Sequence, residues 1–129
     1  MKTILHSFLL ASVITLTSWV QSGNIDAVIG ALRNGNATEL SSYIDNSLEL
    51  TLPEQSDSYS KAQAILILKD FFNNNGVKGF EVRHKGDNGG DQFCIGTLQT
   101  RSGNFRTTVF MKMKNNKEFL KEIRFQTKE

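Results

Sequence analysis

The chain has 129 residues, a formal charge of +2 from 15 basic and 13 acidic side chains, one proline and one cysteine. That length suits a single small domain. The mixed, nearly balanced charge lacks the basic footprint of a nucleic-acid binder. A lone cysteine forbids an internal disulfide, so packing alone must hold the fold.

The first segment is an address. Lys2 precedes an uncharged run from Phe8 to Val20, and the small residues Ser22 and Gly23 follow. Basic start, apolar middle and small residues beyond make a secretory signal peptide over residues 1–22, cleaved near Ser22. A membrane anchor needs about 20 mainly apolar residues, whereas this run is shorter and holds Ser12, Thr15, Thr17 and Ser18. Cleavage leaves 107 residues of charge +1 and places the mature chain in the periplasm or outside the cell, with no membrane anchor.

Asn24 predicts a helix N-cap, with Val28, Ile29 and Leu32 at helical spacing and Asn34-Gly35-Asn36 as the break. Ala37 to Ile44 predicts a second short helix with Leu40, Tyr43 and Ile44 on one face. Leu48, Leu50 and Leu52 alternate with polar residues, a half-buried strand from Ser47 closed by Pro53. Ser60-Lys61-Ala62-Gln63 fits a capping box. The long helix it opens ends near Asn74, with Gly76 as its stop. Ala64, Ile65, Ile67, Leu68, Phe71 and Phe72 cover most of its circumference, so burial on two sides is expected. Four strands follow, at 78–85, 92–101, 105–114 and 117–127. Asp87-Asn88-Gly89-Gly90, Ser102-Gly103-Asn104 and Asn115-Asn116 separate them at hairpin spacing. The order α-α-β-α-β-β-β-β is an α+β domain with helices packed on one face of an antiparallel sheet.

That order resembles the cone-shaped nuclear-transport-factor-2-like fold, a curved sheet around a long helix. Gly35-Asn36-Ala37-Thr38-Glu39-Leu40, Tyr59-Ser60-Lys61-Ala62-Gln63-Ala64, Lys69-Asp70-Phe71-Phe72, His84-Lys85-Gly86, Ile95-Gly96-Thr97-Leu98, Phe105-Arg106 and Glu122-Ile123-Arg124 carry a closer likeness. Together they resemble the exported bacterial proteins of the domain of unknown function 4783 family. The resemblance spans the mature chain and implies an exported Gram-negative protein on this cystatin-like fold, without an assigned activity. The fold hosts enzymes, carriers and structural domains, so it does not choose a function.

Candidate chemistry is sparse. His84 is the only histidine after export. Strand alternation places it with Phe80 and Val82 on the core face, where it would act as a pocket base or sit as a strand-end residue with its polar edge solvated. Tyr43 and Asp45 end the second helix within reach of such a pocket. Pairing across a two-residue Ser102-Gly103 turn sets Arg106, Thr108 and Phe110 on the face of His84; one extra loop residue reverses them all. In the first register Arg106 and His84 would contact an anionic ligand at the pocket mouth, or Arg106 is an ordinary exposed charge or ion pair. Met111 and Met113, with Val109, Leu98 and Leu120, are expected on the second sheet face, where a second subunit would cover them in a homodimer; edge or curvature effects are the alternative.

Cys94, in the run Phe93-Cys94-Ile95, reads as a small buried hydrophobe. Asp87-Asn88-Gly89-Gly90-Asp91 hints at calcium but lacks the ordered ligand spacing of a dedicated loop, and hairpin chemistry explains it. Gln92-Phe93-Cys94-Ile95-Gly96 echoes a cystatin inhibitory loop only loosely, and Asn36-Ala37-Thr38 is a glycosylation sequon where the host uses one. Nucleophile elbow, phosphate loop, zinc spacing and dinucleotide fingerprint are all missing from the sequence.

These residues point to an exported, non-catalytic domain with no cofactor, no metal site and no catalytic residue. A small apolar or amphipathic ligand would lie in the concave sheet, touched by Tyr43, His84 and Arg106, unless side chains fill that space. Two other classes stand beside this one: a pocket enzyme with His84 as general base, and a protein-interaction module acting through the second sheet face.

Overall fold

The computed structural model describes residues 23–128, so the expected signal segment lies outside the described residues. Helix α1 (Asn24–Asn34) turns its buried stripe of Ile25, Val28, Ile29, Ala31 and Leu32 to the sheet, and Gly35 ends it in the left-handed conformation (φ 62°). Its N-cap is Gly23, which has no capping side chain, and not Asn24. Helix α2 (Ala37–Ser41) is capped by the Asn36 side chain. It is shorter than the sequence suggests. The hydroxyls of Ser41 and Ser42 donate back to the carbonyls of Thr38 and Glu39 at 2.6 Å. The backbone carbonyl of Tyr43 then accepts the Leu120 N–H at 2.7 Å, and Ile44 begins a strand. A long-range ladder thus ends a locally helical pattern.

Strand β1 (Ile44–Leu52) turns at Pro53 into β2 (Gln55–Ser60), which the sequence reading missed. Five of the six β2 residues are exposed and only Tyr59 is half-buried, so no apolar alternation marks this edge strand. Its polar residues suit an edge, because they discourage further pairing. Helix α3 (Lys61–Asn75) has the full capping box of Ser60 and Gln63 and ends at Gly76 (φ 70°). The expectation of burial on two sides fails: Ala64, Leu68, Phe71 and Phe72 form one buried stripe, while Leu66 is exposed. The helix packs against α2 and over the β1–β2 side.

Strands β3 (Val77–Asn88), β4 (Asp91–Thr100), β5 (Gly103–Lys114) and β6 (Lys117–Thr127) form the expected meander. The six strands run in the order β2-β1-β6-β5-β4-β3, with β1 parallel to β6 and all other neighbours antiparallel. Gly89-Gly90 and Asn115-Asn116 supply the positive φ values that two of the hairpins require. Thr100 pairs with Gly103, so the third hairpin turns at Arg101-Ser102.

The helix side of the sheet carries the core. Leu48, Leu50, Leu98, Val109, Leu120, Ile123 and Phe125 are each at most 1% exposed. Phe71 meets Phe105 edge-on at a centroid distance of 5.1 Å and leans on Phe125 at 4.7 Å, and Phe72 meets Phe125 edge-on at 6.0 Å. Aromatic side chains therefore pack much of the interior, beside a cavity of about 510 Å³ lined by Leu52, Pro53, Phe71 and Phe105, among others.

Candidate functional site

The other sheet face carries the residues with chemistry, and a bulge puts them there. Val82 pairs with Gly96 but His84 pairs with Ile95, so one extra residue enters β3 between them. A side-chain period of two means that this residue reverses every later side chain. His84 therefore leaves the face of Phe80 and projects from the open side, where it is exposed. Register on β4 and β5 brings Arg106 opposite Thr97 and Thr108 opposite Ile95. His84, Arg106, Thr108 and Phe110 do share a face, as expected, but it is the open one and not the core.

Four side chains from four successive strands form a row across this face. The His84 ring lies 5.6 Å from that of Phe93, and Phe93 lies 6.5 Å from Phe110. The Arg124 guanidinium sits 5.5 Å from the Phe110 ring and donates from Nε to Glu122 at 2.6 Å. Gly86 makes room for this row: a Cβ there would collide with the Phe93 ring. Beside the row runs a groove of about 650 Å³ lined by Arg83, Ile95, Thr97, Arg106, Gln126 and Lys128, among others. Its rim is cationic. Arg83 has a loose 3.7 Å contact with Glu81, and Arg106 and Lys128 pair with no carboxylate among the described residues.

Tyr43 is not part of this arrangement. It packs against the helix-side core at the start of β1, and β6, β5 and β4 separate that strand from β3. Asp45 pairs with Lys114 at 3.0 Å, at the same remove. The Met-bearing second face also needs correction: Leu98, Val109, Met111 and Leu120 are buried on the helix side, because their ladder partners all face α1 and α3. Only Met113 is exposed. Phe93, Ile95, Phe110 and Phe119 instead supply the apolar part of the open face, and all four are half-buried.

Cys94 is fully buried, and desolvation pushes its thiol up to about 11, which fits an inert core residue. Asp87 caps the turn by accepting the Gly90 N–H at 2.7 Å, and Asp91 accepts the Met113 N–H at 3.0 Å, so both carboxylates serve hairpin structure. Among the described residues no group of three or more His, Cys, Asp or Glu side chains is placed to hold a metal ion.

The family profile described as Domain of unknown function (DUF4783) matches residues 25–126. The chain belongs to that family. Solved DUF4783 family proteins from Bacteroides ovatus and Bacteroides uniformis are 35% and 34% identical to it, with TM-scores of 0.75 and 0.77. The alignments cover 79% and 81% of this chain and 93% and 96% of those chains. An NTF2-like protein of unknown function from Cytophaga hutchinsonii, 12% identical, superposes with a TM-score of 0.57 over 79% of this chain and 86% of its own. The fold is NTF2-like, as expected, with β2 added to the predicted order. No curated protein matches the sequence.

Proposed function

We propose that this DUF4783 protein is an exported, non-catalytic binding module whose recognition surface is the open sheet face. The carrying observation is the pairing of an unfilled, cation-rimmed groove on that face with a packed interior on the other. Arg83, Arg106 and Lys128 would hold a carboxylate, sulfate or phosphate group, and Ile95, Phe93 and Phe110 would take an apolar body beside it. His84 contributes its ring to the apolar row. An enzyme reading draws less from the geometry, since His84 stands exposed on an open face and not in an apolar pocket.

Sodium dodecanoate titrated into the isotopically labelled mature protein tests this reading, with dodecanol as the uncharged control. Amide shifts should concentrate on β3–β6 around Arg106, and Arg106→Gln should weaken dodecanoate binding about fivefold, the equivalent of about 1 kcal/mol. Shifts confined to the helix-side cavity beside Phe71 and Phe105, or absent altogether, would refute it. A homodimer is the second reading, favoured by the same half-buried aromatics. A native mass of twice the chain, with the β3–β6 face protected from hydrogen exchange, would make the occupant a second copy.

A further inference from the structure

Glu118 opens β6 on the helix side and is 8% exposed. Its Oε1 accepts the Ile25 N–H at 3.1 Å, and its backbone carbonyl accepts Asn24 Nδ2 at 2.8 Å. A strand thereby supplies the cap for α1 that Gly23 cannot. One N–H does not balance a buried carboxylate, and no cationic side chain among the described residues pairs with Glu118. The carboxylates that act on it are Asp26 on α1, Asp87 on β3 and Asp91 on β4. Asp26 is itself paired with Lys85 at 2.6 Å.

A second acceptor points at the same spot. Gln92 Oε1 is buried and has no hydrogen-bond partner among the described residues. Both groups converge on Gly23, where a Cβ would stand 3.0 Å from Gln92 Oε1 and 3.0 and 3.1 Å from the two Glu118 oxygens. The backbone of Gly23 is ordinary (φ −59°), so glycine serves room here and not conformation. Its nitrogen lies about 2.5 Å from that Cβ position by covalent geometry, hence within about 5.6 Å of every acceptor. Two acceptors, one of them a buried carboxylate, crowd Gly23, and what they lack is a cationic donor.

Gly23 is also where signal cleavage is expected. We propose that the α-ammonium released at Gly23 docks between the Glu118 carboxylate and the Gln92 amide oxygen, so that processing completes the anchor of α1 on the sheet. Hydrolysis of the Ser22–Gly23 peptide bond by the host's signal peptidase consumes one water. It leaves a carboxylate on Ser22 and an ammonium on Gly23, in place of an uncharged amide with one N–H. The new charge meets the unfavourable end of the α1 dipole, but Glu118 already lies across that end and offsets it. Burial holds the Glu118 carboxyl above the usual carboxylate range, and a docked ammonium relieves that penalty. The inference rests on the export reading of the proposed function.

The test uses the full chain produced in an exporting Gram-negative host. Intact mass and N-terminal sequencing give the start of the mature protein, and an NMR titration of Gly23 follows its amine. A start at Gly23 is expected, with an α-amino pKa at least about one unit, or tenfold in proton affinity, above the usual 7.7–8.0. Glu118→Gln should return the amine to the usual range. Should that variant fail to fold, N-acetylated Gly23 in the otherwise unchanged chain should show a lower melting temperature and a higher Glu118 pKa. An ordinary amine pKa in a chain starting at Gly23 overturns the docking but leaves export standing; Gln92 would then turn its NH2 toward Glu118. A start elsewhere overturns the docking with processing intact, and an uncleaved chain overturns both.

Discussion

Replacing Phe125 with alanine decides whether the interior of the cone is filled or is a binding cavity. Phe125 is fully buried and contacts Phe71 and Phe72 at 4.7 and 6.0 Å between ring centroids, so its ring anchors the aromatic cluster to the sheet. A buried Phe→Ala change costs about 3–5 kcal/mol, combining lost transfer energy with a cavity that neighbours only partly close. A domain of 107 residues has a total stability of about 5–16 kcal/mol at the usual per-residue value. The variant should therefore melt about 12–40 °C lower, at roughly 4–8 °C per kcal/mol. Urea unfolding at unchanged m-value gives the free energy. Toluene should partly restore the melting temperature of the variant and leave the parent unaffected, because only the variant offers an apolar void. A loss below about 1 kcal/mol would refute the reasoning, since the ring would then stand beside open space. The concave pocket would return as the ligand site.

The glycines make a paired prediction. A Cβ on Gly96 would lie 2.5 Å from both the Glu81 carbonyl oxygen and the Phe80 ring, so Gly96→Ala should cost about 2–3 kcal/mol in denaturant unfolding. Gly30, inside α1 with nothing within 4 Å of its Cβ position, should gain about 0.5–1 kcal/mol on replacement by alanine. Cys94, buried and held at about 11, should react with a disulfide reagent at pH 8 at least about a hundredfold more slowly than in urea, because thiolate is the reactive form. In a chain with N-acetylated Gly23, the folded state binds a proton at Glu118 more readily than the unfolded state does. Stability should rise as pH falls through the raised folded value of Glu118 and level off below about 4.3, the ordinary glutamate value. Glu118→Gln should remove that component, as read from urea midpoints across the pH range.

Local chemistry by itself determined the start and stop of α3, two of the hairpin turns and the α+β class. The capping box at Ser60, Gly76, Gly89-Gly90 and Asn115-Asn116 each act within a few residues, so their effect is written where they stand. The family resemblance, too, was legible in the ensemble of short segments. Strand β2 was hidden because five of its six side chains face solvent. Only its pairing with β1 holds it, and pairing leaves no periodic trace in one strand. The side of the sheet to which His84 belongs was decided by a single bulge in β3, an event that exists only relative to β4. Arg106 was placed on the correct strand and beside the correct neighbours, but whether that face is core or open depends on which side α1 and α3 cover. Nothing in the sequence distinguishes Glu118 from other glutamates; it becomes a buried acceptor only when α1, whose Ile25 is 93 residues away from it in sequence, sets its first turn against it. Interactions closed within a turn can be read from the chain. Those that need two distant segments at a defined register arise only when the sheet is assembled.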